Sequence, residues 1–286
     1  MSTQGSGWFP VPRREAARRV LVASEASLGA CLVLLGVWVF VHLGGVGREG
    51  ALLFNWHPLL MALAFLGAMT QGLLAFSAGG RTPQAAGYDR AQRKWLHWVI
   101  NGSATCLALA GFYAAFRFHA QQGIPHVYSV HATLGVAVLA LLCLQFALGF
   151  AAFLASTLGL PDLFSSSTKR ALVPVHAFLG LGAYGGGLAA LLTGLMDKQA
   201  LINFVQQGDK FAAASALPNW IAVLAALGVL GVVAHVASLS GGGGGTSASG
   251  TTTPSSAAHG RDGDEHDVDE ADGDPSDLER ILLVPS

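Results

Sequence analysis

Charge is what this sequence has least of. Only 12% of its 286 residues are charged, against 52% hydrophobic, and the net charge is −1. So few cations give no electrostatic footprint for nucleic acid. Cysteine is scarce as well: Cys31, Cys106 and Cys143 are the only three. All fall inside apolar runs, where a small buried thiol is the reading; neither a disulfide framework nor a cysteine metal site follows. They leave the redox compartment undetermined. Carboxylates are nearly missing from the same runs, with Glu25 the exception. That counts against a transporter that relays protons or binds metal ions through intramembrane acids and histidines. The first apolar run also lacks a small-residue cleavage site, ending instead in LGGVGREG, so it reads as a span and not as a removable secretory signal.

What the chain does have is length of apolar sequence. Six runs of roughly 20 residues or more each suffice to cross about 30 Å of hydrocarbon. They are placed near 20–44, 55–77, 95–116, 130–155, 172–195 and 217–239. The expected fold is an all-α integral membrane protein with six transmembrane helices, spans two to five forming a central four-helix bundle. Residues 1–19 form a basic N-terminal segment, 20–240 the six-span domain, and 241–286 a tail of Gly/Ser-rich and then acidic sequence that cannot bury a core and is expected to be disordered. Its last residues, ERILLVPS, resemble an acidic dileucine sorting signal with imperfect spacing. Basic residues favour one side. Arg13, Arg14, Arg18, Arg19, Arg81, Arg90, Arg93, Lys94, Lys169 and Arg170 lie before span one or in even loops; only Arg48, Arg117, Lys198 and Lys210 lie in odd ones. By the positive-inside bias both termini are cytosolic.

With that orientation each intramembrane histidine acquires a depth. His57 opens span two and His131 opens span four, both toward the outer face; His97 opens span three and His176 opens span five, both toward the cytosol. An ionisable group in a span is expensive and is a functional hypothesis by default. Two neutral imidazoles on facing helices suit axial ligation of a haem iron, and four on successive spans at matched depths make two such pairs. With each pair about a turn inside its face, two irons would stand roughly 20 Å apart. His42 and His235 lack partners at their depths and are read as packing or interfacial residues. His119 and His126 fall in the loop before span four. Gly135 and Gly180, each four residues after a histidine, leave room on the same helix face.

The stretches FNWHPLLM (54–61), KWLH (94–97), YSVHATLG (128–135) and PVHAFLG (174–180) resemble the four histidine motifs of the eukaryotic cytochrome b561 family, ascorbate-dependent trans-membrane di-haem cytochromes. The resemblance covers about residues 20–240. It implies two haems b, the outer held by His57 and His131 and the cytosolic by His97 and His176, which is the pairing that topology alone suggests. It implies cytosolic ascorbate binding by Lys94, Lys169 and Arg170, with Arg93 as a further candidate. Arg81 is a candidate for a haem propionate, and Tyr128, Ser129 and Asp197 are candidates for the outer haem edge. On the outer face, His119 stands twelve residues before His131, where the family has a substrate-binding histidine, and Phe118 resembles one of its aromatic neighbours. Asn101 departs from members that carry a second histidine there, and the long tail matches nothing in the family core.

The expected function is electron transfer from cytosolic ascorbate through two haems to monodehydroascorbate or a ferric iron chelate on the far side, by an ascorbate-dependent oxidoreductase. The rival within this fold is a haem-bearing subunit that passes electrons to a quinone or partner protein, against which the cations beside His97 and His176 argue, since a quinone needs no anion funnel. The partners are otherwise membrane lipid and, as the resemblance suggests, a second copy in a homodimer. An endomembrane compartment or the plasma membrane is the expected location.

Overall fold

A computed structural model describes residues 13–76, 87–205, 209 and 211–240. Residues 1–12, Arg81 and the tail 241–286, each the subject of an expectation above, lie outside the described residues. All regular structure among the described residues is helical. Among the described residues six helices are long and apolar enough to cross a membrane: α1 (Glu15–His42), α2 (Gly50–Phe76), α3 (Arg90–Gln122), α4 (Val130–Leu154), α5 (Ser166–Phe204) and α6 (Ala213–Val236).

The helices overrun the apolar runs at their polar ends, because capping residues and not hydropathy decide where a helix stops. Asp89 caps α3 by accepting from the Gln92 amide at 2.8 Å, while the Gln92 side chain accepts from the Asp89 amide. Gly123, at φ +63°, closes the same helix in the left-handed conformation that glycine adopts without cost. Ser165 caps α5 by accepting from Thr168. Three loop placements are therefore corrected. Arg90, Arg93 and Lys94 lie in the first turns of α3, Lys169 and Arg170 in the first turns of α5, and His119 in the last turn of α3 and not in the loop after it.

Between helices in lipid the hydrophobic effect is weak, so close approach and interhelical hydrogen bonds hold the bundle. The hairpins α2–α3 and α4–α5 pack within themselves and against each other. At their centre Tyr184 is fully buried, and its hydroxyl meets Thr70 Oγ1 at 2.8 Å. Thr70 donates to the Leu66 carbonyl, so Tyr184 is the donor in that pair. A Cβ on Gly187 would collide with the Phe65 ring and one on Gly186 with Val138, which is why these two positions in α5 are glycines. Outside this bundle α1 pairs with α6. Ser27 donates to the Leu224 carbonyl at 2.9 Å and Trp38 Nε1 to the Ala214 carbonyl at 2.8 Å. His235 is buried in the same contact, its Nδ1 2.6 Å from the Ala17 carbonyl. It takes a packing place.

Candidate functional site

The chain entering α2 is fastened before it delivers a histidine. Asn55, buried between two short helical segments, donates from Nδ2 to the carbonyls of Leu43 at 3.0 Å and Gly45 at 2.7 Å, and Trp56 Nε1 donates to Gly47. His57 follows directly. On α4 the first turn is set by Ser129, which accepts from the Ala132 amide at 3.2 Å. Val127 turns the chain into that cap at φ +53°, a left-handed conformation unusual for a β-branched residue. His131 follows by two residues from the cap. His97 lies in the second helical turn of α3, and His176 follows Pro174, which removes one backbone bond of α5 at the Arg170 carbonyl.

The four rings meet in two pairs. His57 and His131 stand with centroids 5.8 Å apart and planes at 81°, and His97 and His176 with centroids 6.2 Å apart and planes at 67°. Each pair takes one ring from each hairpin. Three of the rings are also tied to a backbone carbonyl of the neighbouring helix in their own hairpin. His57 Nδ1 lies 3.1 Å from the Gly111 oxygen, His97 Nδ1 2.7 Å from that of Gly72, and His131 Nδ1 2.9 Å from that of Ala190. A carbonyl only accepts, so each Nδ1 carries the proton and each Nε2 keeps its lone pair. His176 Nδ1 is buried and has no hydrogen-bond partner.

Glycine makes these approaches feasible. A Cβ on Gly194 would lie 2.7 Å from the His131 ring, one on Gly149 3.3 Å from the His176 ring, and one on Gly72 would overlap the Asn101 side chain. Asn101 itself donates to the His97 carbonyl at 2.7 Å. At Gly135 and Gly180, the positions singled out from sequence, an added Cβ meets nothing within 4 Å.

The remaining candidates divide between the two ends. At the His97 end, the Arg93 guanidinium lies 5.8 Å from the Phe76 ring centre, and Phe76 stands edge-on to His97 at 5.6 Å. Lys94 is half-buried and close enough to Arg90 and Lys169 for their charges to repel. Lys169 is already ion-paired with Asp162, while Arg170 is exposed. At the His57 end a line of ring contacts runs from His57 to Phe54 at 5.6 Å, Phe54 to Phe118 at 5.1 Å and Phe118 to His119 at 5.9 Å. Tyr128 packs on His119 at 5.9 Å. Asp197 is exposed, and its neighbour Lys198 is the residue that turns inward, with Nζ 5.3 Å from the Phe54 centroid.

Sequence reasoning missed three of these participants. Asp162 gives no signal in a loop of mixed composition, and Lys198 was counted only for its charge. His126, given no role, stacks face to face on Phe116 at 4.4 Å and on His119 at 5.7 Å, a contact made across a turn that no sequence spacing announces.

Residues 56–202, a stretch that begins beside His57 and contains all four histidines, match the family of eukaryotic cytochrome b561. A probable ascorbate-specific transmembrane electron transporter 2 of Oryza sativa subsp. japonica is 30% identical over 78% of this chain and 90% of its own length. The lysosomal membrane ascorbate-dependent ferrireductase CYB561A3 of Bos taurus is 32% identical over 67% of this chain and 66% of its own. The transmembrane ascorbate ferrireductase 2 of Arabidopsis thaliana is 29% identical over 73% of this chain and 87% of its own. Six membrane-spanning helices, four of them carrying the paired histidines inside a match that covers half the sequence, make this chain a member of the eukaryotic cytochrome b561 family.

Proposed function

We propose that this protein moves electrons across the membrane from cytosolic ascorbate to an acceptor on the opposite side, through two haems b held by His57 with His131 and by His97 with His176. The donor set is the observation that carries the reading. Two nitrogens each about 2 Å from one shared metal, with a ring centre about 1 Å behind each, need centroids roughly 6 Å apart, and the two pairs stand at 5.8 Å and 6.2 Å. Among the described residues no group of three or more His, Cys, Asp or Glu gathers to hold a metal ion. Two imidazoles alone suit a metal that brings its own equatorial nitrogens, as a porphyrin does. Haem b, when bound, supplies a one-electron couple at each pair.

The chain's own residues do the rest. The carbonyls of Gly111, Gly72 and Ala190 fix three tautomers and keep the rings from turning away. Fifteen residues of α2 separate His57 from Gly72, whose carbonyl holds His97; that is about 22 Å of helix rise, enough to keep donor and acceptor in separate solutions. Between the levels, the buried Tyr184 and Phe65 exclude water. Arg93, Lys94, Lys169 and Arg170 gather positive charge at the His97 end, which the positive-inside bias assigns to the cytosol. Ascorbate is an anion at neutral pH, so this charge raises its local concentration. The names of the rice, cattle and Arabidopsis relatives support ascorbate as the donor. On this reading the chain is a transmembrane ascorbate-dependent oxidoreductase.

At the other end His119 gives its Nδ1 proton to the Pro125 carbonyl at 3.2 Å and keeps Nε2 for an acceptor, with Phe54 and Phe118 linking it to His57. Two of those relatives are named ferrireductases, which favours ferric iron as the acceptor, and monodehydroascorbate is the alternative of matching one-electron chemistry. The relatives include proteins named for the lysosomal and plasma membranes, and either membrane suits this one.

The test is a reduced-minus-oxidised visible spectrum of the purified full-length protein with ascorbate as sole reductant, repeated with His97→Ala and His131→Ala. The expected result is two haems in the unmodified protein and one in each variant. A protein without haem bands would overturn the reading, and haems that ascorbate leaves oxidised would remove the donor.

A further inference from the structure

The carbonyl anchors obey a register. Gly111 follows His97 by fourteen residues and anchors His57; Ala190 follows His176 by fourteen and anchors His131. Gly72 follows His57 by fifteen and anchors His97, and the π-helical segment Leu63–Met69 between them accounts for the extra residue. Four helical turns thus carry each histidine's helix to the level of the other pair, where its backbone meets the neighbouring histidine. The fourth position in this register is Gln145, fourteen residues after His131. It should serve His176, the one of the four paired histidines whose Nδ1 has no hydrogen-bond partner.

Gln145 is itself anomalous. Its residue is 5% exposed, in the middle of α4, and neither Nε2 nor Oε1 of its carboxamide has a hydrogen-bond partner. A buried amide without partners costs more than one hydrogen bond returns. One turn further along the same face stands Gly149, against the edge of the His176 ring. The arrangement repeats at the other end of the hairpin, where Gly194 lies against His131 one turn beyond Ala190. Gly149 follows His131 by eighteen residues, and Gly194 follows His176 by the same eighteen, five full turns in each case. At three positions of the register the residue is glycine or alanine and only its backbone can accept. At the fourth, one turn before the glycine that lies against His176, it carries a side chain with an oxygen to spare.

We infer that Gln145 is the positioning residue of His176: in the haem-loaded protein its carboxamide oxygen accepts the Nδ1 proton of His176, standing in for the backbone carbonyl used at the other three ligands. This rests on the proposed ligation of a haem by His97 and His176. Such a bond makes the imidazole a stronger donor and favours the oxidised iron, so it sets the potential of one haem and not the other.

The experiment is a redox titration of the full-length, haem-loaded protein, followed in the visible spectrum, with the low-spin electron paramagnetic resonance signals recorded beside it. The wild type is compared with Gln145→Met, which keeps the length and removes the amide, and with Gln145→Asn, which keeps the amide. Gln145→Met is expected to shift one of two waves toward easier reduction, raising its reduced-to-oxidised ratio at fixed poise about fivefold, the change carried by one hydrogen bond made better in one redox state. The shifted wave should be the one abolished by His176→Ala, its signal should move as well, and Gln145→Asn should move it less. Loss of that haem alone in Gln145→Met would likewise support the inference. Two waves that both stay in place, a shift in the wave abolished by His131→Ala, or loss of both haems would overturn it while leaving the two-haem reading standing. An unmodified protein without haem would overturn both.

Discussion

The two ends of the bundle hold the same pair of rings by different means. At the His57 end both imidazoles are tied to backbone carbonyls, and glycine brings α5 against His131 so closely that no Cβ fits. At the His97 end one imidazole is tied to backbone, Gly149 leaves His176 a looser 3.3 Å, and two polar side chains lie on the flanking turns, Asn101 one turn from His97 and Gln145 one turn from Gly149. Backbone cannot be exchanged by mutation and side chains can. The first end is built for a fixed geometry, the second for one that sequence can adjust.

Gly194→Ala and Gly149→Ala break this comparison most directly. The methyl group at 194 should displace His131 from its carbonyl and weaken retention of the haem proposed for that pair about tenfold or more, read as haem content per protein after dialysis. The same change at 149 should leave haem content near the wild-type value. Equal losses would mean that the two ends are equally tight.

The ends also differ in charge. Neutralising Lys94 and Lys169 together, as Lys94→Ala with Lys169→Ala, should raise the ascorbate concentration for half-reduction about tenfold at low salt; an unchanged value would remove the anion funnel. The ion pair sharpens the point, because Asp162 cancels part of the charge of Lys169. Asp162→Asn should lower the same concentration by about two- to threefold, the worth of one exposed pair, and the gain should vanish in high salt as screening sets in.

The smallest effect serves as a control for the others. Tyr184 lies between the two levels, so Tyr184→Phe, which removes its bond to Thr70, should cost about 1 kcal/mol of stability. A thermal melt should show a fall of a few degrees with both haem potentials moved equally. A shift confined to one haem would place Tyr184 at that end.

The sequence was most legible where the physics is coarse. Six apolar runs predicted six helices, and alternation of spans sorted His57, His131, His97 and His176 into two depths. Both ends of α3 and the start of α5 were misjudged by five or six residues because Asp89, Gly123 and Ser165 set them through hydrogen bonds and backbone angles, which hydropathy does not register. The second layer around the histidines was invisible for a related reason. A carbonyl anchor belongs to the backbone, which every residue has, so Gly111, Ala190 and Gly72 carry no mark of their role. Gln145 does carry one, as the only glutamine in its span, but it reads as an anchor only against the fourteen-residue register. Nothing in the sequence around Lys169 announces its ion pair with Asp162, which the folded loop brings to it.

The anchors within each hairpin have a consequence for how the protein is made. The first hairpin holds both of its histidines and the second holds His131, while on the proposed ligation each haem needs one histidine from both. A membrane protein is delivered span by span from its amino terminus, so α2 and α3 fix the tautomers of His57 and His97 on each other's carbonyls before α4 has emerged. The first hairpin waits with both half-sites ready. The second completes them at the moment it docks, and cofactor capture becomes the event that records successful assembly.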